Sequence, residues 1–355
     1  EDNGRMGILA AGGGEASAGA AATDVCPGRL FAPGPRGGIE LAAAAEPAAP
    51  HRGVEFFALP TRGILTRCRS SRVPFQWTIN PYRGCEFGCQ YCYARYAHGF
   101  LELRRPEDFE RKIFAKQRAA EHLRRELRRV PPGDGIALGT ATDPYQPAER
   151  QFGITRSLLE VFAQARGLKL GLVTKSALVV RDLDLLTQVA AANELTIRMT
   201  VTTADPALAR QLEPRAPRPD LRLAALGRLR AAGLMAGVMC APVLPGITDG
   251  EANLAALMAA AKAAGAAFFS AGGLFLQPAA AAQFLPFLDR RFPHLAAAYR
   301  RQFAASAYLP ADYRRRLAVR VARLAARYGL PAAAPRATPA APADGEEQAT
   351  QLSFW

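Results

Sequence analysis

The sequence predicts an α/β fold built on parallel strands, and three observations support it. Six short β-type runs alternate with helical patterns. They recur at roughly thirty-residue spacing, the length of a strand plus a crossover helix and its loops. Ala-, Gly- and Pro-rich flanks without sustained periodicity bracket them. The chain has 355 residues, 50% of them hydrophobic, enough for one large domain or two small ones.

In chain order, residues 1–52 read as a disordered, low-complexity extension. The first strand is "FQWTIN" (75–80), with a helix over 107–129. "GIALGT" (135–140) leads to a helix at 154–166, and "LKLGLVT" (168–174) to one at 181–192. "LTIRMTVTT" (195–203) precedes a helix at 220–232, and "LMAGVMCAPVL" (234–244) one at 250–264. "AAFFSAGGLFL" (266–276) is the last strand. Six strands are too few for a closed eight-stranded barrel. A partial barrel or open sheet over 53–280 is therefore expected, with functional loops at the C-terminal ends of its strands. Residues 281–330 read as an Arg-rich helical extension and 331–355 as a flexible tail.

Net charge is +14 and the pI about 10.0. That favours a polyanionic partner, although 40 arginines beside five lysines also fit a compositional bias toward Arg and Ala. No apolar run approaches the roughly 20 residues of a membrane span. The first residues lack the basic start and compact apolar core of a signal peptide. A cytoplasmic protein is expected, probed by free thiols rather than disulfides.

"NPYRGCEFGCQYCYAR" (80–95) sets Cys85, Cys89 and Cys92 directly after the first strand. Zinc usually takes four ligands in two pairs; no second pair exists, and His51, His98, His122 and His294 are scattered. A disulfide would leave one thiol over. An iron–sulfur cubane takes one thiolate per iron, so three thiolates leave one iron open to a small molecule.

"CEFGCQYC" resembles the CxxxCxxC signature of radical S-adenosylmethionine (radical SAM) enzymes, over about residues 54–325. Within that superfamily the chain looks most like the spore photoproduct lyase-like, or DNA repair photolyase-like, group. "ALGTATDPYQPAER", "LVTKSALVVRDLDLL", "VTTADPALARQLEPRAP" and "GVMCAPVLPGITD" support the placement. The resemblance implies a partial (β/α)6 TIM-type barrel. It also implies that Cys85, Cys89 and Cys92 hold a [4Fe–4S] cluster whose fourth iron takes the SAM amine and carboxylate. One electron from a flavodoxin- or ferredoxin-type donor would then cleave SAM to a 5′-deoxyadenosyl radical. A cytoplasmic monomer is expected.

The resemblance assigns further roles. Thr142 and Asp143, after the second strand, would meet the SAM ammonium, though they also fit a helix cap. Lys175, a compact ammonium in a chain that otherwise favours Arg, would meet the SAM carboxylate. Thr200 and Ala241 would touch ribose, carboxylate or adenine; the Tyr91 carbonyl would meet adenine, and Tyr93 would flank the cluster. Genuine spore photoproduct lyase carries a hydrogen-donating cysteine where this chain has Thr140. The catalytic candidates are Thr140, Tyr145 and Cys240, and Cys240 also reads as a small buried hydrophobe.

From Arg290 to Arg327 ten arginines face Asp312 as the only acid, interleaved with Tyr299, Tyr308 and Tyr313. Phosphate neutralisation with aromatic stacking is a nucleic-acid footprint, so DNA is an expected partner, with DNA-lesion repair as the expected function. A solvated helical face fits the same pattern, and the alternative is radical SAM modification of a peptide, protein or small molecule with the basic surface incidental. The terminal "QLSFW" resembles a sliding-clamp-binding peptide, with Gln351 setting register and Leu352, Phe354 and Trp355 filling an apolar groove.

Overall fold

The computed structural model describes residues 45–332 apart from 52, 71 and 104. Its strands are β1 (Glu46–His51), β2 (Val54–Leu59), β3 (Leu65–Arg67), β4 (Trp77–Ile79), β5 (Tyr82–Arg83), β6 (Lys112–Lys116), β7 (Gly135–Leu138), β8 (Lys169–Thr174), β9 (Glu194–Thr200), β10 (Ala236–Val243) and β11 (Phe269–Gly273).

Six of them, β4, β7, β8, β9, β10 and β11, lie side by side in chain order, and every neighbouring pair is parallel. Because the order never reverses, right-handed crossovers put the connecting helices on one face, as in a barrel and unlike a doubly wound sheet. β3 adds antiparallel to the outer edge of β4, so β11 and β3 are the two ends of an open, partial barrel. The six strands read from the sequence are these six.

Side-chain alternation sorts the two faces. Ile136 and Leu138, Leu170 and Leu172, Ile197 and Met199, and Val238 and Cys240 join one core with the helices. Leu158, Phe162, Leu186, Leu226, Leu257 and Leu324 meet them from the helix side. The alternate positions, Thr78, Ala137, Gly171, Arg198 and Gly237, are small or polar and line the concave face. Gly237 is required there: a Cβ would lie 2.5 Å from the Phe268 carbonyl oxygen and 2.6 Å from its ring.

Two boundaries differ from the sequence expectation. The helix expected over 107–129 is interrupted by β6, leaving helices at Asp108–Arg111 and Ala119–Glu126. Ile113, Phe114 and Ala115 are all buried because β6 runs between β2, parallel, and β5, antiparallel. Both partners are distant in sequence or too short to show a period. Likewise β1 falls inside the 1–52 segment read as disordered; it is an Ala/Pro-rich edge strand paired antiparallel with β2. Together these strands form a second sheet, ordered β1-β2-β6-β5.

The C-terminal helices, Pro278–Arg291, Pro293–Phe303 and Ala311–Arg327, follow β11. The expected face of alternating arginines and tyrosines does not form. Tyr299 is 2% exposed and donates to Pro245 O; Tyr313 donates to Asp249; Tyr308 packs on Phe275 with ring centroids 4.5 Å apart. The helices turn their aromatic side chains onto the barrel, because ring burial outweighs exposure to solvent. Among the described residues no helix is long and apolar enough to cross a membrane.

Gly237→Ala is expected to destabilise the chain by about 1–3 kcal/mol through overpacking. Gly250→Ala, where nothing lies within 4 Å of the added carbon, serves as control in the same urea titration.

Candidate functional site

β4 and the two-residue β5 hand the chain into the cysteine loop at the C-terminal end of the barrel. The loop is fixed by its backbone. Cys85 N–H donates to Phe109 O at 2.9 Å, Gln90 N–H to Leu212 O at 2.9 Å, and Arg215 N–H to Phe87 O at 3.2 Å. Glu86 accepts the Ala148 N–H at 2.6 Å while its own N–H reaches Gln146 Oε1 at 2.9 Å. The buried Arg95 guanidinium donates to Cys89 O and pairs with Glu110 at 2.6 Å.

This brings the three predicted thiols together in one apolar setting. Cys85 and Cys89 are buried and Cys92 nearly so, packed with Phe87, Tyr91 and Ala94. Burial pushes Cys89 up to about 12, with Glu213 and Cys92 adding and Lys175 opposing. Burial also raises Cys85, with Asp143 and the other two thiols adding, and raises Cys92 against the pull of Arg95. Left alone, these thiols stay protonated; a bound metal inverts that preference. The donor set suits an iron–sulfur cluster, since three soft thiols meet with no bridging carboxylate. Among the described residues no three His, Cys, Asp or Glu side chains converge on a single ion, and a cubane makes no such demand, because each thiolate takes its own iron.

The residues after the second and third strands close on the same loop. Thr142 Oγ1 donates to Gly84 O at 2.7 Å, and Gln146 Nε2 donates to both Gly84 O and Thr142 Oγ1. Asp143 accepts from Tyr145 N–H at 2.9 Å, Thr174 Oγ1 at 2.7 Å and Lys175 N–H at 2.7 Å. Burial raises its carboxyl against these three donors. Lys175 Nζ sits 5.8 Å from the Tyr91 ring centroid and 4.0 Å from Glu213 Oε1. Burial alone would pull the ammonium down, but the Glu213 carboxylate beside it helps hold it raised.

Sequence reasoning missed Glu213 and Arg222. Both are buried, at 1% exposure each, and pair at 2.5 Å. Glu213 also accepts from the Tyr91 hydroxyl, and Arg222 donates to Thr200 O at 3.0 Å. Burial would raise the Glu213 carboxyl, but Arg222 and Lys175 hold it low. The clue was a lone acid between apolar residues and prolines in "QLEPRAP".

The other predicted residues divide. Tyr93 donates its hydroxyl to Thr140 O, and Thr140 Oγ1 accepts from Asn80 at 3.3 Å. Thr200 ends β9, and Ala241 sits where the β10–β11 register shifts. Tyr145 is fully buried beside Asp182, and Cys240 lies in the helix-side core with its thiol donating to Thr202 O at 3.7 Å. Gln351, Leu352, Phe354 and Trp355 fall outside the described residues.

Comparison with known proteins agrees with this geometry. The Radical SAM superfamily profile matches residues 79–258. An uncharacterised protein of Mycobacterium tuberculosis is 37% identical over 280 residues, 78% of this chain and 82% of the relative. One from Methanocaldococcus jannaschii is 26% identical over 176 residues, 50% of this chain and 63% of that one. Among solved structures, spore photoproduct lyase complexed with dinucleoside spore photoproduct superposes with TM-score 0.59 at 15% identity, over 77% of this chain and 79% of that one. A mutant of the lyase with bound AdoMet and the same dinucleoside gives 0.57 at 16% identity, over 76% and 78%.

Two outcomes follow from the buried charges. Glu213→Gln leaves Arg222 and Lys175 without their anion and is expected to cost about 3–5 kcal/mol in denaturant unfolding. Burial pushes the His98 imidazole from 6.5 down to about 4, although Nε2 donates to Lys112 O at 3.0 Å. Between those two pH values the unfolded chain takes a proton that the folded chain refuses. Stability therefore falls on acidification by up to about 1.4 kcal/mol per pH unit, a component that His98→Gln should lack in unfolding curves at pH 7 and 5.

Proposed function

Because the chain belongs to the radical SAM superfamily, we propose that Cys85, Cys89 and Cys92 hold a [4Fe–4S] cluster and that SAM binds beside it. The SAM-binding residues would be Thr142, Asp143, Lys175, Thr200, Ala241 and the Tyr91 carbonyl, with Tyr93 flanking the cluster. The observation that carries the reading is the position of Lys175. Its ammonium, from the end of β8, stands 5.8 Å from the ring of Tyr91, between two of the cysteines. When bound, the cluster and SAM supply reductive cleavage and radical hydrogen abstraction, with the electron from a flavodoxin- or ferredoxin-type donor.

The chain's own residues prepare the place. Lys175 and Arg222 together outweigh Glu213 by one positive charge, which suits a carboxylate. Asp143, held by three donors, offers its remaining lone pairs to an ammonium. The buried loop excludes water from reactive species.

Nucleic acid, with DNA-lesion chemistry as its most specific form, is the substrate class we favour. Net charge +14 supports it, and a neighbour of the same fold was solved with a dinucleoside photoproduct. The lyase reaction itself is not the reading. Thr140 supplies a hydroxyl where that lyase has a thiol, and Cys240 is committed to the core. The clamp-binding reading of the tail rests on its sequence alone.

Anaerobic reconstitution should load about four irons per chain and release 5′-deoxyadenosine from SAM under reductant. Cys89→Ala should abolish both; persistent cleavage in that variant removes the cluster assignment. Lys175→Ala should weaken SAM binding by about 1.5–3 kcal/mol, whereas unchanged affinity returns Lys175 to a merely structural place.

A further inference from the structure

We propose that Arg83 and Lys116, with the rings of Tyr96 and Phe100, form a subsite for one nucleotide unit of a single-stranded nucleic acid: the phosphodiester between the cations, the base against the rings. The proposal deepens the nucleic-acid reading and rests on it.

The register of the small sheet puts the two cations on one face, diagonally across adjacent strands. Arg83 on β5 stands opposite Phe114 on β6, and the Lys116 N–H donates to Pro81 O at 3.1 Å. With a side-chain period of two, Arg83, Phe114 and Lys116 share one face, while Tyr82, Ile113 and Ala115 enter the main core from the other. Leu59, Leu101 and Phe114 cover the middle of the cationic face with apolar surface. Arg83 and Lys116 are each half-buried at its end.

Among the described residues neither cation lies within ion-pair distance of an acid. Among the described residues both are acted on only through burial and through charge at a distance. The acid that acts on Lys116 is Glu126, but its Oε2 already accepts the Ile64 and Leu65 N–H groups at 2.9 and 2.8 Å. Burial pushes the Lys116 ammonium down to about 7, with Arg83 adding. Two adjacent cations withdrawn from water without a counter-charge are costly. One phosphodiester placed between them removes that cost.

Aromatic rings continue from the cations toward the cysteine loop. Gly84, next in the chain to Arg83, lies against the His98 ring, between Tyr96 and Phe100 in sequence. Phe100 is 41% exposed and meets Tyr96 edge-on at 5.9 Å. Tyr96 stacks on Tyr93, the residue after Cys92, at 6.5 Å and 21°. Cations that hold a backbone phosphate beside rings that accept a base are what single strands require. This row ends at the cluster loop.

The test uses full-length, cluster-loaded protein and the anisotropy of a labelled single-stranded oligodeoxynucleotide. Lys116→Met and Phe100→Ala should each weaken binding about tenfold. Lys116→Met should also flatten the log–log salt dependence by about 0.7, the share of one phosphate on a single strand. Its melting temperature should not fall, because the substitution removes an unpaired charge, and substrate-free SAM cleavage should persist in both variants. Wild-type binding left unchanged by both substitutions overturns this subsite while the nucleic-acid reading stands. A wild type that ignores the oligonucleotide overturns both. A lower melting temperature for Lys116→Met shows a structural partner for that ammonium and also overturns the proposal. Inorganic phosphate that displaces the oligonucleotide at equal concentration reassigns the cations to a small anion.

Discussion

Gly84 occupies a tight backbone crossing beside the cysteine loop. A Cβ there would lie 2.7 Å from Lys112 O and 2.8 Å from Phe109 O, and its φ is +84°. Neither neighbour can yield, because both are backbone of the turn into β6. The Gly84 carbonyl accepts from Thr142 and Gln146, beyond the second barrel strand, and the next N–H is bound by Phe109 O. One peptide thus joins the small sheet, the barrel and the cysteine loop. The direction in which Cys85 leaves it, and hence where three thiols can meet, depends on that crossing. The N-terminal sheet serves as a wall of the site, since the helix Asp108–Arg111 and the first residue of β6 supply the two carbonyls that define the bend.

Electrostatics make the same point at the next turn of the chain. Glu213, Arg222 and Lys175 are drawn into a region where lone charges are penalised, and each tolerates burial because the others are present. The consequence is positional. Arg222 anchors the end of β9 through Thr200 O, Glu213 holds the Tyr91 hydroxyl, and Lys175 is suspended between Glu213 and the Tyr91 ring. A lysine on a four-carbon stem is ordinarily mobile; here electrostatics hold its head beside the cysteines. A fixed positive head is what the proposed binding of a carboxylate would need.

Much of this was legible in the sequence, for identifiable reasons. The six parallel strands could be read because each is an apolar run bounded by turn residues. The thiols could be read because their spacing is short and local. β6 was hidden because "KIFAK" lies in a charged, helix-like stretch and is a strand only through partners at Val54–Leu59 and Tyr82–Arg83. Glu213 and Arg222 were hidden because a buried ion pair looks, one residue at a time, like two surface residues. Thr142 lies against the cysteine loop, but its hydroxyl goes to Gly84 O, a bond between elements 58 residues apart that no local pattern encodes.

The arginine-rich helices show why charge counts and recognition must be kept apart. Their exposed arginines pair in part with nearby acids, Arg300 with Asp289, Arg315 with Asp312 and Arg323 with Glu251. Such exposed pairs contribute little to stability and leave a diffuse positive field. A diffuse field raises the rate at which any polyanion arrives but does not choose among them. Choice needs groups that lose something when the wrong ligand binds, and the extension has given up its candidates by burying Tyr299 and turning Tyr308 onto Phe275. Desolvated cations and rings instead lie beside the cysteine loop, at Arg83, Lys116, Tyr96 and Phe100. On the proposed reading, the composition would govern the approach of a polyanion, while its selection would fall to a few residues that contribute almost nothing to the net charge.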